Sequence, residues 1–360
     1  MSFWRSTDGG TAAAHGHLEA GAVFWLEQAL AEEETVPCAP LAGRREFDVC
    51  IVGGGYTGLW TALELAALAP ELSVCVIEMQ ACGFGASGRN GGWVTSWYDE
   101  LDNLVEQFGV EQALWLADQT SAVIDELAEF VQAEGIDCRL RRQGSLVLAG
   151  SAEQADVLAA ISAACHAHGR GEMIEQLSAE QVWDWAGTRA GHLGGVHFRD
   201  SATVQPAKLA RGLRAAALGH GVTIHEATQM LELRNGRPAV VITPAGRIEA
   251  DQVVLANGPW LARMRELRRA VVVVGTQIVL TEPLAGPLPE PWASGLLLGD
   301  ARMFVHYAQV TAERRIAFGR GGGVIGPLGR VVPGHFADES VAGAVASDFR
   351  AWFPEHGRSS

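Results

Sequence analysis

Lysine is nearly missing from this chain: of its 27 basic residues only Lys208 is a lysine, and the others are arginines. Chemistry built on a lysine nucleophile or Schiff base therefore has one candidate. Positive charge is short altogether, with 42 acidic residues and a formal charge of -15, and a field of that sign repels phosphate backbones and anionic lipid surfaces. This argues against nucleic acid or a membrane as partner. No apolar run approaches the roughly 18 residues that a bilayer helix needs, because glycine, proline or charge interrupts each one. The six cysteines (Cys38, Cys50, Cys75, Cys82, Cys138 and Cys165) make no CxxC pair, and no basic segment followed by an apolar one opens the chain. Together these absences predict a reduced, cytoplasmic protein.

Glycine, by contrast, is abundant. The 43 glycines in 360 residues are about 12% of the chain against a background of roughly 7%, an excess that calls for tight turns and close backbone approaches. The length suggests two to three domain-sized units. The order of elements predicts a helix over 18–34 in an N-terminal extension (1–46) that closes on Pro37 and Pro40. Then come a short β-branched run, FDVCIV (47–52), the turn GGGYTG, a helix with Leu59, Ala62, Leu63 and Ala66 on one stripe, and a second run, SVCVIE (73–78). That spacing predicts a parallel βαβ crossover.

Residues 110–134 predict an amphipathic helix with Ala113, Ala117, Val123, Leu127, Phe130 and Val131 facing inward and Gly135 as its stop. Further helices are predicted at 152–168, at 179–186 behind a Ser178/Gln181 capping box, and from Pro206 to near Gly219. The runs VTIHE, AVVIT, RIEADQVVLA, AVVVVGTQIVLT, MFVHYA and RRIAFGR then predict a mostly antiparallel sheet. The fold expected is α/β, α+β overall. A Rossmann-like dinucleotide-binding domain (47–100 and 196–262) accompanies a mostly antiparallel-sheet substrate domain (101–195 and 263–335), and 336–360 forms an incomplete return segment.

Gly53, Gly55 and Gly58 form GxGxxG, which alone is a weak signal because glycine clusters often serve turns. Its setting strengthens it. In a strand, turn and helix, the first glycine permits the turn, the second lets the backbone approach a pyrophosphate, and the third lets helix and strand pack, with Tyr56 and Thr57 opening the helix. Glu78, 20 residues after Gly58 and followed by Met79, is placed to accept from the adenosine ribose hydroxyls. The stretch CGFGASGRNGGW (82–93) contains five more glycines. A nicotinamide dehydrogenase usually continues with plain βαβ units, whereas a loop of small residues (Gly85, Ala86, Gly91, Gly92) with Ser87, Arg89 and Asn90 suits a diphosphate and a flavin ring. The pattern favours FAD over NAD. Arg89 reads either as a phosphate or flavin neighbour or as a solvated loop charge.

These segments, IVGGGYTGLWTALELA and VIEMQACGFGASGRNGGW, followed by ATVQPAKLARGLRAAALGHGVTIHEATQM, DQVVLANGPWLARM and GTQIVLTEPL, resemble the D-amino-acid oxidase and glycine oxidase superfamily of FAD-dependent oxidoreductases, most closely its gamma-glutamylputrescine oxidoreductase branch. The likeness runs from Phe47 to Gly323. It implies that Met230 contacts the adenine end of FAD through its backbone, and that the turn Ala256, Asn257, Gly258 passes close to the cofactor. Members of the superfamily continue well beyond DFRAWFPEHG, through a strand and glycine turn that complete the FAD domain. The alternative expectation is thus a truncated, impaired flavoprotein or nucleotide-binding fragment that needs a partner, with homo-oligomerisation covering an open edge.

The resemblance implies oxidation of an amine or amino acid by hydride transfer to FAD, giving an imine that hydrolyses, with oxygen or another acceptor taking the electrons. Strand alternation in MFVHYA places Phe304 and His306 on one face and Val305 and Tyr307 on the other, making Tyr307 and then His306 the candidates to face the flavin. Arg320, opening RGGG, is a candidate for a substrate carboxylate. Trp93 and Trp97 are candidate pocket walls or core. The pairs His15/His17 and His166/His168 lack a metal-ligand setting, so no metal is expected, and the acidic run Glu32 to Glu34 reads as a solvated face.

Overall fold

The computed structural model describes residues 23–188, 191–326, 331 and 338–355. FDVCIV and SVCVIE become the buried ends of parallel neighbours, Gly43–Val52 and Val74–Ile77, joined by the helix Tyr56–Leu68. Their buried positions, Val49 to Val52 and Val74 to Ile77, are all apolar because both sheet faces are covered there. Val49, Ile51, Val74 and Val76 meet the helices Tyr56–Leu68 and Pro206–Gly219, while Cys50, Val52, Cys75 and Ile77 meet Leu41, Val241 and Ile248 on the other face. The full sheet has six strands in the order Thr223–His225, Val74–Ile77, Gly43–Val52, Gly246–Leu255, Ala239–Thr243, Glu232–Arg234. Its first three pairings are parallel and the remaining two antiparallel.

A second sheet of seven strands runs Gln277–Leu280, Ile316–Arg320, His306–Val310, Leu297–Asp300, Ser145–Ala149, Gly194–Phe198, Ile174–Ser178. All pairs are antiparallel except Leu297–Asp300 with Ser145–Ala149. One face packs on the helix Glu339–Trp352 through Phe318, Phe349 and Trp352, and the other on Leu101, Ala113, Ala117, Leu158 and Ile161 from three helices. Trp93–Val94 and Ala202–Thr203 form a further two-stranded sheet. The α/β class is the one expected, but VTIHE and RIEADQVVLA, read above as part of a mostly antiparallel sheet, join the first sheet in parallel.

Several boundaries differ from expectation for identifiable reasons. The strand Gly194–Phe198 pairs within the second sheet, although 196–198 were assigned above to the nucleotide-binding part. The segment assigned to an incomplete return carries the helix Glu339–Trp352, which is held in that sheet's core by its aromatic face. The first strand starts at Gly43 rather than 47, because Gly43 to Glu46 pair with Gly246 to Glu249. In the helix Val110–Ala133, Ile124 and not Val123 is buried, and Val123 is exposed. Of AVVVVGTQIVLT only Gln277–Leu280 is a strand: its partner strand ends at Arg320, leaving a single bridge between Val274 and Ile325. The N-terminal helix covers Phe24–Glu32, and its expected start at 18 lies outside the described residues. The Ser178 capping box and the helix Ala152–Ala167 form as the sequence pattern indicates. Among the described residues no helix is long and apolar enough to cross a membrane, and all six cysteines are free thiols.

Candidate functional site

The four parallel strands of the first sheet end on the same side, and there a cleft of about 550 Å³ opens. Val52 and Ile77, the last residues of two of these strands, form its floor. Gly53, Gly55, Tyr56 and Thr57 line one wall. Gly53 has φ +117° and lies so close to the last strand's turn that a Cβ there would sit 2.5 Å from the Ala256 carbonyl oxygen. Gly55 precedes the helix without any side-chain cap, so first-turn amides face the cleft with the positive end of the helix dipole behind them. Gly58 does not line the cleft. A Cβ there would lie 1.9 Å from the Gly53 carbonyl oxygen, so its smallness lets the helix close on the turn.

Glu78 is buried at the cleft's edge, where its two carboxylate oxygens accept from the amides of Gly54 (2.8 Å) and Gln80 (3.0 Å). Burial pushes its carboxyl above the usual range against the pull of those amides, and the nearby Glu226 adds to the rise. A carboxylate has about four lone-pair sites, so two remain for a ligand's hydroxyls. Met79, Gly85, Ala86 and Ser87 continue the wall, and Ser87 Oγ accepts from the Tyr56 amide at 2.9 Å. Met230 and the turn of Ala256, Asn257 and Gly258 close the opposite side. Asn257 Oδ1 is buried there with no partner among the described residues.

Arg89, Asn90, Gly91 and Gly92 stand outside this lining. The Arg89 guanidinium donates to the Phe84 carbonyl through Nε (3.0 Å) and Nη2 (2.8 Å) and lies 5.0 Å from the Phe84 ring centre, and burial lowers its pKa to about 10. It is neither a cleft-lining charge nor a solvated one, but a brace within its own loop. Asn90 knits the loop end, donating to the Ser87 carbonyl at 3.0 Å and accepting from the Gly92 amide at 2.7 Å. The Gly91 carbonyl accepts from Gln309 Nε2 at 2.7 Å, which ties the loop to the second sheet.

Tyr307 meets the loop at that junction. Its ring passes over Gly91 and Gly319, where added Cβ atoms would come within 2.8 Å and 2.4 Å of it, and Trp93 stands edge-on at 6.2 Å. Trp93 thus shares Tyr307's surroundings, while Trp97 is exposed. His306 does not join them. Strand pairing begins only at His306, so Phe304 and Val305 lie in an exposed turn, and the imidazole points to the opposite face from Tyr307. There Nδ1 and Nε2 donate to Asp300 Oδ2 (2.8 Å) and Asp348 Oδ2 (3.1 Å). Arg320 also joins Asp348, at 2.8 Å. Both candidates for flavin or substrate contact therefore serve to fasten the helix Glu339–Trp352 to the sheet.

In the acidic run Glu32 and Glu34 are exposed, Glu32 pairing with Lys208 (2.8 Å), but Glu33 departs from the solvated face and is largely enclosed against Arg211 (2.7 Å) and Arg214 (3.2 Å). The sequence signal for the buried Arg211 and Arg214 is their i, i+3 spacing on an alanine- and leucine-rich helix. Thr228, Gln229, Trp260 and Arg263 also line the cleft and carry no motif that points to it. His15 and His17 lie outside the described residues, and His166 and His168 end the helix Ala152–Ala167. Among the described residues no group of three or more His, Cys, Asp or Glu side chains is arranged to hold a metal.

The model of a family described as DAO, FAD dependent oxidoreductase, matches residues 48–359. The gamma-glutamylputrescine oxidoreductase of Escherichia coli (strain K12) is 30% identical over 288 residues, covering 77% of this chain and 65% of that protein. The chain spans about two thirds of the length of the first curated relatives it matches, 65%, 66% and 68%. Among solved structures, glycine oxidase from Geobacillus kaustophilus superimposes with a TM-score of 0.65 at 23% identity, covering 88% of this chain and 80% of that one. L-alpha-glycerophosphate oxidase from Mycoplasma pneumoniae with FAD bound gives 0.64 at 16%, covering 86% and 79%.

Proposed function

Because the chain belongs to the DAO family of FAD-dependent oxidoreductases, we propose that it binds FAD in the cleft and oxidises a C–N bond of an amine or amino acid. The observation that carries this reading is the cleft's construction: main-chain amides, glycines and one buried carboxylate at the ends of parallel strands. These residues fit the cofactor's adenosine diphosphate half. A side chain at Gly53 or Gly55 would collide with Ala256 or Ser87, so the backbone stays bare for close approach, and the unpartnered Asn257 Oδ1 offers an acceptor. Amides of Gly55 and Thr57 and the Ser87 hydroxyl would hold the diphosphate, Glu78 the ribose hydroxyls, and the Met230 backbone the adenine. FAD, when bound, supplies a two-electron acceptor for hydride from the carbon bearing nitrogen, which leaves an imine for water to hydrolyse, before oxygen or another acceptor takes the electrons.

The chain's own task is position and exclusion of water. Tyr307 and Trp93, packed edge to face beside Gly91, would wall the substrate side. Burial raises the Tyr307 hydroxyl's pKa, so it stays protonated as a hydrogen-bond donor throughout the neutral range. The test is direct. The purified protein should carry or take up FAD with a flavin's visible absorbance, and anaerobic addition of polyamines, N-methyl amino acids, or D- and L-amino acids should bleach it for one class. A colourless protein that takes up no flavin refutes the proposal.

A further inference from the structure

We infer that Glu226, outside the cleft, is a positioning residue for the cofactor loop: it sets where the loop of 82–92 springs from the sheet relative to Glu78. The inference rests on the proposed FAD site, but its structural basis is independent of the ligand. Each carboxylate oxygen of Glu226 takes a main-chain amide, Oε1 from Cys82 at 2.7 Å and Oε2 from Cys38 at 3.1 Å. Arg211 Nη1 bonds the same Oε1 at 2.5 Å and reaches the Cys82 carbonyl at 3.4 Å. Cys82, the first residue of the glycine loop, is thus gripped by both its backbone groups.

The chain beside Glu226 is laced to the ribose side of the site. The Ala227 amide donates to the Gln80 carbonyl (2.9 Å) and the Thr228 amide to the Glu78 carbonyl (2.7 Å). One residue therefore connects the strand bearing Glu78 with the root of the diphosphate loop. Arg214 Nε holds Oε2 at 3.2 Å, and Glu33 balances the two arginines from the far side at 2.7 Å and 3.2 Å, so the buried cluster is two cations against two anions. Burying four charges is a poor way to gain stability, because apolar residues of the same volume commonly do as well or better. What the charges provide here, and apolar packing does not, is a directional hold on the Cys82 backbone.

Glu226→Gln keeps the side chain's size but cannot accept both amides. Hydrogen exchange on the apo protein should show faster exchange confined to the amides of Cys38 and of Cys82 to Phe84, with those of Val74 to Ile77 unchanged. FAD should bind roughly tenfold more weakly, the equivalent of one charge-assisted hydrogen bond. Arg211→Lys, which keeps the charge and loses the reach to the Cys82 carbonyl, should show a smaller effect of the same kind. It also serves as the test if Glu226→Gln folds poorly. Unchanged loop exchange and unchanged FAD affinity overturn the inference, as does a uniform rise in exchange over the whole sheet, which would mark a merely structural role. If wild type binds no FAD, the functional proposal fails while the exchange arm still judges the loop.

Discussion

At Gly53 the backbone takes a conformation that a side chain would strain, and it does so where a Cβ has no room. The φ of +117° and the 2.5 Å approach to the Ala256 carbonyl act together, because the turn must press against the neighbouring strand's exit to shape the cleft. Gly53→Ala should therefore cost about 2–3 kcal/mol in urea unfolding of the apo protein and abolish flavin retention. An alanine variant of wild-type stability that still retains FAD would mean the turn has freedom the geometry denies. The same scale shows Arg89, readable as a cofactor neighbour, outside the cleft lining and bracing its own loop. Its guanidinium donates to the Phe84 carbonyl five residues back, a contact that depends on how the loop folds on itself.

The helix Glu339–Trp352 illustrates what an element needs beyond its own sequence. Phe349 and Trp352 pack against Phe318, but its polar fastening is the His306 imidazole between Asp300 and Asp348, with Arg320 on Asp348 and Arg302 on Asp300. Two carboxylates can only accept, so both ring nitrogens must carry protons. Burial opposes that charge, yet the two carboxylates outweigh it and hold the imidazole's pKa above its usual 6.5. A raised value means the native state binds the proton more tightly than the unfolded chain. The latch's stabilisation is then complete below the ordinary imidazole range and fades as pH rises through the raised value. The difference in urea midpoint between wild type and His306→Gln should shrink accordingly on going from mildly acidic to alkaline buffer. A difference independent of pH would show that the ring is neutral in the folded protein.

Across the whole molecule, the two sheets are joined by the helix Phe24–Glu32. Trp25 and Leu26 bury themselves with Phe84 of the glycine loop, Ala207, and Ala317 and Ile278 of the second sheet, and Gln205 Nε2 donates to the Trp25 carbonyl at 2.7 Å. Arg139 adds a bridge from Glu32 to Glu313. An extension in the sequence is thus a wedge in the structure. Leu26→Ala should cost about 2–5 kcal/mol and also weaken FAD retention, because the cavity opens directly behind Phe84. Stability lost with flavin content intact would separate the wedge from the site.

The sequence by itself determined the nucleotide half of this protein: strand, glycine turn, helix, strand and acid are contacts between residues near in sequence, each leaving a local signature in glycine spacing and apolar periodicity. It also carried the capping box and the long helices for the same reason. Only the tertiary structure decided which way the polar residues of the second sheet turn. Alternation along MFVHYA could not tell Tyr307's face from His306's until Asp348, 42 positions after His306, claimed the imidazole, and nothing local announces that Glu226 would hold Cys82 across 144 residues. Such choices are made by partners brought together from afar, and the free energy that selects them exists only once the sheets have packed.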